Sequence, residues 1–131
     1  LNYQINVPQN NEHFEVKTEG KAEIDGFEAF LGEIFSHPKW APGKALLIDH
    51  SDLVLRFFQT EEVRSVSKMV INQTDIIGKG KWAIVVTGNF AFGMARMWQI
   101  ITEEKVPMEI SVFKDREKAI KWLSNGKMED K

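Results

Sequence analysis

Lys44-Ala45-Leu46-Leu47-Ile48-Asp49-His50-Ser51 is the stretch that decides the fold. Its apolar run, Ala45 to Ile48, is short and unbroken. We read Lys44 to Asp49 as a strand covered on both faces. Such a strand belongs in a parallel sheet flanked by helices, so its neighbours should alternate between the two periods.

They do so in both directions. Upstream, Phe27, Phe30, Leu31, Ile34 and Phe35 form one stripe of an amphipathic helix, with Asp25 and Glu28 as its capping signature. His37-Pro38 closes that helix, because the residue before proline is pushed out of the α region. Further upstream, Tyr3, Ile5 and Val7 alternate with polar residues, as do Phe14, Val16 and Thr18. Pro8-Gln9-Asn10-Asn11 between them is turn chemistry, so an N-terminal β-hairpin is expected.

Downstream, Thr60 is placed to cap a second helix, with Glu61 and Glu62, anions favoured in a first helical turn, behind it and Val63, Val66 and Val70 as the buried stripe. Trp82 to Val86 is a second buried strand. Thr87-Gly88-Asn89 punctuates it, and a third helix runs from about Phe90 to Glu103. Glu109 to Phe113 is the last strand, and Asp115 caps a last helix with Ala119, Trp122 and Leu123 inward. The expected architecture is α/β: a five-stranded, mixed but mostly parallel sheet with four helices. No repeat or low-complexity linker divides the chain. Residues 1–124 read as one domain and 125–131 as a frayed polar tail.

The totals bound the function. With 131 residues and 43% apolar content the chain can bury a core. Seventeen Lys and Arg against 19 Asp and Glu give a net charge of −2 and no attraction to a phosphate backbone, so no nucleic-acid partner is expected. Without cysteine there is no disulfide, thiolate metal site or thiol nucleophile. No apolar stretch is long enough for a membrane span, and the polar N-terminus has no signal-peptide core. Cytoplasmic localisation is the expectation.

Asp49-His50-Ser51 has the residue types of a hydrolase triad, but consecutive residues cannot fold back into a nucleophile–base–orienter chain. His13, His37 and His50 lack metal-ligand spacing. Gly78-Lys79-Gly80-Lys81 precedes a strand where a phosphate loop must precede a helix, so it reads as a solvated turn. No catalytic residue, metal or cofactor is expected.

The third helix is more informative. Phe90, Ala91, Phe92, Met94, Ala95, Met97, Trp98, Ile100 and Ile101 surround its axis, more apolar surface than one buried stripe requires. It reads as a deeply sunk helix, an interface or the wall of an apolar pocket. The segment 52–59, with Leu53, Val54, Leu55, Phe57 and Phe58, is likewise more apolar than a loop needs: it covers a sheet edge, forms a short strand or acts as a lid. Interface candidates are Phe57, Phe58, Phe92, Met94, Met97 and Trp98. Parallel strands gather their C-terminal ends, where open α/β sheets bind ligands. Ligand or phosphorylation candidates there are Asp49, His50, Ser51, Thr87, Gly88, Asn89 and Lys114.

Three blocks carry a family resemblance: His37-Pro38-Lys39-Trp40-Ala41-Pro42-Gly43 leading into Leu46 to Asp49, Phe92 to Trp98, and Val112-Phe113-Lys114-Asp115 with Ala119 and Trp122-Leu123. With the element order, the chain resembles the SpoIIAA-like fold of STAS domains, the anti-sigma-factor antagonists. More closely, it is similar to small stand-alone bacterial STAS/SEC14-like proteins, many without assigned function. The leading reading is a non-enzymatic regulatory or interaction module of this fold, self-associating as a homodimer through the apolar third helix and the nearby 52–59 segment, or meeting a protein partner. The SEC14-like aspect of the resemblance implies instead a carrier of a small apolar or amphipathic ligand. A weaker alternative is an enzyme using the strand-end cluster. STAS domains of the antagonist type carry an Asp-Ser-Ser-Gly-like turn whose serine is phosphorylated. Here the sequence is Asp49-His50-Ser51-Asp52-Leu53, so Ser51 is the nearest counterpart, with Asp49 and Asp52 expected to repel a phosphate on it.

Overall fold

Asn2–Asn6 (β1) pairs antiparallel with His13–Lys21 (β2), and Ala45–Val54 (β3), Lys81–Val85 (β4) and Glu109–Phe113 (β5) follow in parallel, giving the order β1-β2-β3-β4-β5. This computed structural model describes residues 1–7, 9 and 13–129, with side chains through Ser124; most of the expected hairpin turn lies outside the described residues. Each step along the parallel strands is a helical crossover: Ile24–Phe35 (α1), Thr60–Ile71 (α2) with the single turn Thr74–Ile77 (α3), and Asn89–Glu103 (α4). Arg116–Glu129 (α5) closes the chain.

Strand alternation sorts the core into two layers. Phe14 and Val16 of β2, Leu46 and Ile48 of β3, Trp82 and Ile84 of β4 and Ile110 of β5 meet α1, α2 and α4 on one face. Leu47, Ala83 and Val85 meet Ala119 and Leu123 of α5 on the other. The helices do not sit at equal depth. α4 lies close against β5 and α5 against β4, whereas α2 packs sideways on α1 and α4 and comes less near the strands. Ser67 of α2 shares a buried hydrogen bond with Thr102 of α4 (2.7 Å).

The sheet, the hairpin pairing and the alternation are as the sequence reading has them; several particulars are not. Among the described residues there are five helical segments rather than four, α3 being too short to leave a period in the sequence. α1 begins at Ile24 with Asp25 inside its first turn. Gln59 rather than Thr60 caps α2, its N–H donating to the Glu62 carboxylate (2.9 Å). Asp115 does cap α5, accepting from Glu117 N–H (2.8 Å). The largest change is in β3, which continues five residues beyond Asp49. Asp49-His50-Ser51 is therefore mid-strand, and Leu53 and Val54 belong to the sheet, not to a loop.

Candidate functional site

The pairing of β3 with β2 slips between Lys17↔Asp49 and Glu19↔Asp52, so β3 carries an extra residue, a bulge beside Ser51. A bulge changes which face the following side chains take. Leu46, Ile48 and His50 face the three-helix layer, and after the bulge Leu53 and Leu55 join the same core. Asp49 and Ser51 point to the opposite, α5 side. The triad-like string is thus split across the sheet, and His50 cannot serve Ser51 as a base.

On the α5 side Asp49 is the centre of a charged cluster. Its carboxylate accepts from Ser51 Oγ (2.6 Å) and N–H (3.0 Å) and pairs with Arg116 (3.1 Å) and Lys17 (3.7 Å). Arg116 also holds Glu15 (2.7 Å), and Lys17 holds Asp52 (3.1 Å). Burial pushes the Asp49 carboxyl up, but the Ser51 hydrogen bonds and the two cations outweigh it and hold the group below its ordinary range. The bond from Lys17 to Asp52 raises the ammonium above its ordinary value, the wrong direction for a base acting on Ser51. Arg116→Met should lower the unfolding free energy by about 2 kcal/mol. That is less than is typical for breaking a buried pair, because the Arg116 side chain is 43% exposed and Ser51 and Lys17 still hold Asp49. Urea midpoints at neutral pH measure it; an unchanged midpoint would show that solvent replaces the pair.

On the other side, beneath the raised α2, lies an apolar cavity of about 70 Å³ between β3, β4 and the three helices. Phe27, Phe30, Val66, Ile84, Met94 and Ala95 are among its walls, and the lining residues that carry a polar side-chain atom are His50, Trp82 and Trp98. Among the described residues neither indole Nε1–H has a hydrogen-bond partner, though Trp82 is 1% and Trp98 9% exposed. An unmet buried donor costs roughly 1–3 kcal/mol, and buried tryptophans usually find an acceptor. His50 Nδ1 is bonded to Thr18 Oγ1 (2.6 Å), which also reaches the Asp49 carbonyl (3.3 Å). If the threonine donates to that carbonyl, Nδ1 carries the ring proton and Nε2 presents a lone pair. Burial pushes the imidazole pKa down to about 4, against the opposing pull of Asp49, so the ring is uncharged at neutral pH.

The remaining candidates divide by location. Thr87, Gly88 and Asn89 line an open groove at the C-terminal edge of β3 and β4, facing Leu53 to Arg56. Lys114 reaches this edge from β5, donating to Asn89 Oδ1 (2.5 Å). Asp49, His50 and Ser51 lie deeper in the sheet, so the predicted single cluster becomes three places. Of the interface candidates, Phe57 is exposed; Phe92, Met94 and Met97 are half-buried against the core. Phe58 and Trp98, also interface candidates, are buried and line the cavity. The Gly78–Lys81 turn is less solvated than expected, because Gly78 and Gly80 press against Gly43. The sequence reading missed Thr18, Leu55, Arg56, Trp82 and Arg116. A tryptophan inside the apolar run Trp82 to Val86 was the available signal, since its N–H must find an acceptor somewhere.

Among solved structures, the chain is similar to an uncharacterised protein of the DUF3478 family from Shewanella loihica PV-4, described as having a SpoIIAA-like fold. The match has a TM-score of 0.59 at 20% identity and covers 93% of this chain and 92% of that one. The fold is SpoIIAA-like. No family model and no curated protein matches the chain. In this SpoIIAA-like sheet Ser51 sits at a bulge within β3, not in a turn after it, and Lys17 and Arg116 stand beside the two aspartates counted from sequence. Among the described residues no helix is long and apolar enough to cross a membrane.

Proposed function

We propose that this SpoIIAA-like chain is a binding module whose cavity takes a small, uncharged, mostly apolar group bearing a hydrogen-bond acceptor. The observation that carries the reading is the pair of unpartnered indole donors, Trp82 and Trp98, in an otherwise apolar cavity. Its size supports the same reading. About 70 Å³ is several times the space one water needs and about half of a cavity that holds benzene, so a few carbons and one oxygen fit. A neutral His50 adds one adaptable polar contact without adding charge. The carrier reading accounts for these features; regulation through a protein partner would be a consequence of occupancy.

The four tryptophans make a direct test. Trp40 Nε1 already donates to the Ile76 carbonyl (2.9 Å), and Trp122 lies outside the cavity under Lys81. Titrating 2-butanone should move the indole N–H resonances of Trp82 and Trp98 and leave those of Trp40 and Trp122 in place. Four static resonances, or shifts confined to Trp40 and Trp122, would sink the proposal. Val66→Ile, which adds one methylene to the cavity wall, should raise stability by up to about 1 kcal/mol while weakening ketone binding. Destabilisation by that variant would mean that the space is not available.

A further inference from the structure

Leu55 lines both the inner cavity and the outer groove. Among the described residues it is the one lining residue the two share, and it sits on a short turn closed by Phe58 N–H donating to its carbonyl (2.9 Å). The two sides differ in chemistry. The inner side is apolar with neutral polar groups; the outer side offers Thr87, Asn89 and Arg56, the groove's single charged residue. Arg56 pairs with no carboxylate among the described residues and rests over the Phe57 ring (4.8 Å). Lys114, at the same edge, likewise meets an amide and the Phe92 ring, not an acid.

Resting on the cavity reading above, we infer that cavity and groove are the two ends of one site for an amphipathic ligand: a short chain with a neutral carbonyl near its apolar end and a single anionic head at the other. The chain passes Leu55 into the cavity. The head stays in the groove, where Arg56 leaves its ring contact to meet it. A charged head does not enter the cavity, because an ion there would lose its hydration with only two N–H donors and a neutral ring in return. An exposed guanidinium facing a carboxylate or phosphate makes charge-assisted hydrogen bonds.

7-Oxooctanoate, 7-oxooctyl phosphate and 2-octanone are the probes, with 2-butanone as the control for the cavity alone. Either anion should bind at least tenfold more tightly than 2-octanone, moving the Trp98 indole resonance and the Gly88 and Asn89 amides together; the tighter of the two assigns the head. Arg56→Gln, at an exposed position, should erase the advantage of the anion and leave 2-octanone and 2-butanone unchanged. Leu55→Ala should speed entry of the chain. If butanone moves the indoles but the anions bind no better than 2-octanone, or Arg56→Gln changes nothing, the two-ended site is wrong and the cavity reading stands. If butanone also fails, both fall.

Discussion

Lowering the pH from 6.5 to 4 should remove up to about 3 kcal/mol of stability through His50 alone. The ring is held neutral in the fold, its pKa lowered to about 4, because it is buried among Phe27, Phe30 and the cavity wall. In the unfolded chain it takes up a proton near its ordinary value of 6.5. Between these two values the unfolded state binds more protons, so stability falls as pH falls. Below about 4 both states are protonated and this contribution stops changing. Asp49 has the opposite sign of partnership and a lower window. Its carboxyl is depressed, so the stability it gives is present above the ordinary carboxylate value and is lost only as pH drops through the depressed one. His50→Phe keeps an aromatic ring beside Phe27 and Phe30, and Thr18 keeps the Asp49 carbonyl. Urea midpoints at pH 7, 5.5 and 4.5 should therefore be flatter in the variant than in the wild type, the carboxylates common to both cancelling in the difference. Parallel curves would mean that water reaches the ring and that it titrates normally.

The difference between Asp49 and His50 also explains where the sequence was legible. Alternation of periods located every strand of the sheet, because burial of Leu46 to Ile48 or Trp82 to Val85 follows from local hydrophobic pattern. β3 was cut short at Asp49 because Asp-His-Ser-Asp reads as solvent-facing. In the fold Asp49 is 3% exposed, and what makes this tolerable is Arg116, 67 residues away. No local pattern carries that compensation. The bulge beside Ser51 compounds it, since an unpaired residue breaks the period of two that Leu53 and Leu55 would otherwise continue. The apolar surplus of α4 was visible, but its destination was not. Trp98 turns inward and Phe90 outward, and which does so depends on where α2 rests. A cavity is the space that packing leaves, so only the assembled helices define it.

Gly78→Ala should lower stability by about 4 kcal/mol or more, against about 1–3 kcal/mol for Gly88→Ala. Both glycines adopt a backbone that side chains rarely enter, φ +71°, ψ −168° at Gly78 and φ +87°, ψ +164° at Gly88. Strain of that kind is common to the two. Their surroundings differ. A Cβ at Gly88 meets nothing within 4 Å, whereas one at Gly78 would lie 2.7 Å from Gly43 N and 2.8 Å from Pro42 Cβ. The neighbour cannot simply retreat, because Gly43 N–H donates to the Ile77 carbonyl (2.8 Å) and Trp40 to that of Ile76 (2.9 Å). This contact sets the entry of β4, four residues before Trp82 lines the cavity. The damage should therefore reach the site: the Trp82 indole resonance should move in Gly78→Ala, and not in Gly88→Ala. At about 4 °C per kcal/mol for a chain of this size, melting temperatures would fall by roughly 15 °C and 4–12 °C respectively. Equal losses in the two variants would show that the turn shifts to relieve the overlap, leaving backbone strain as the whole effect.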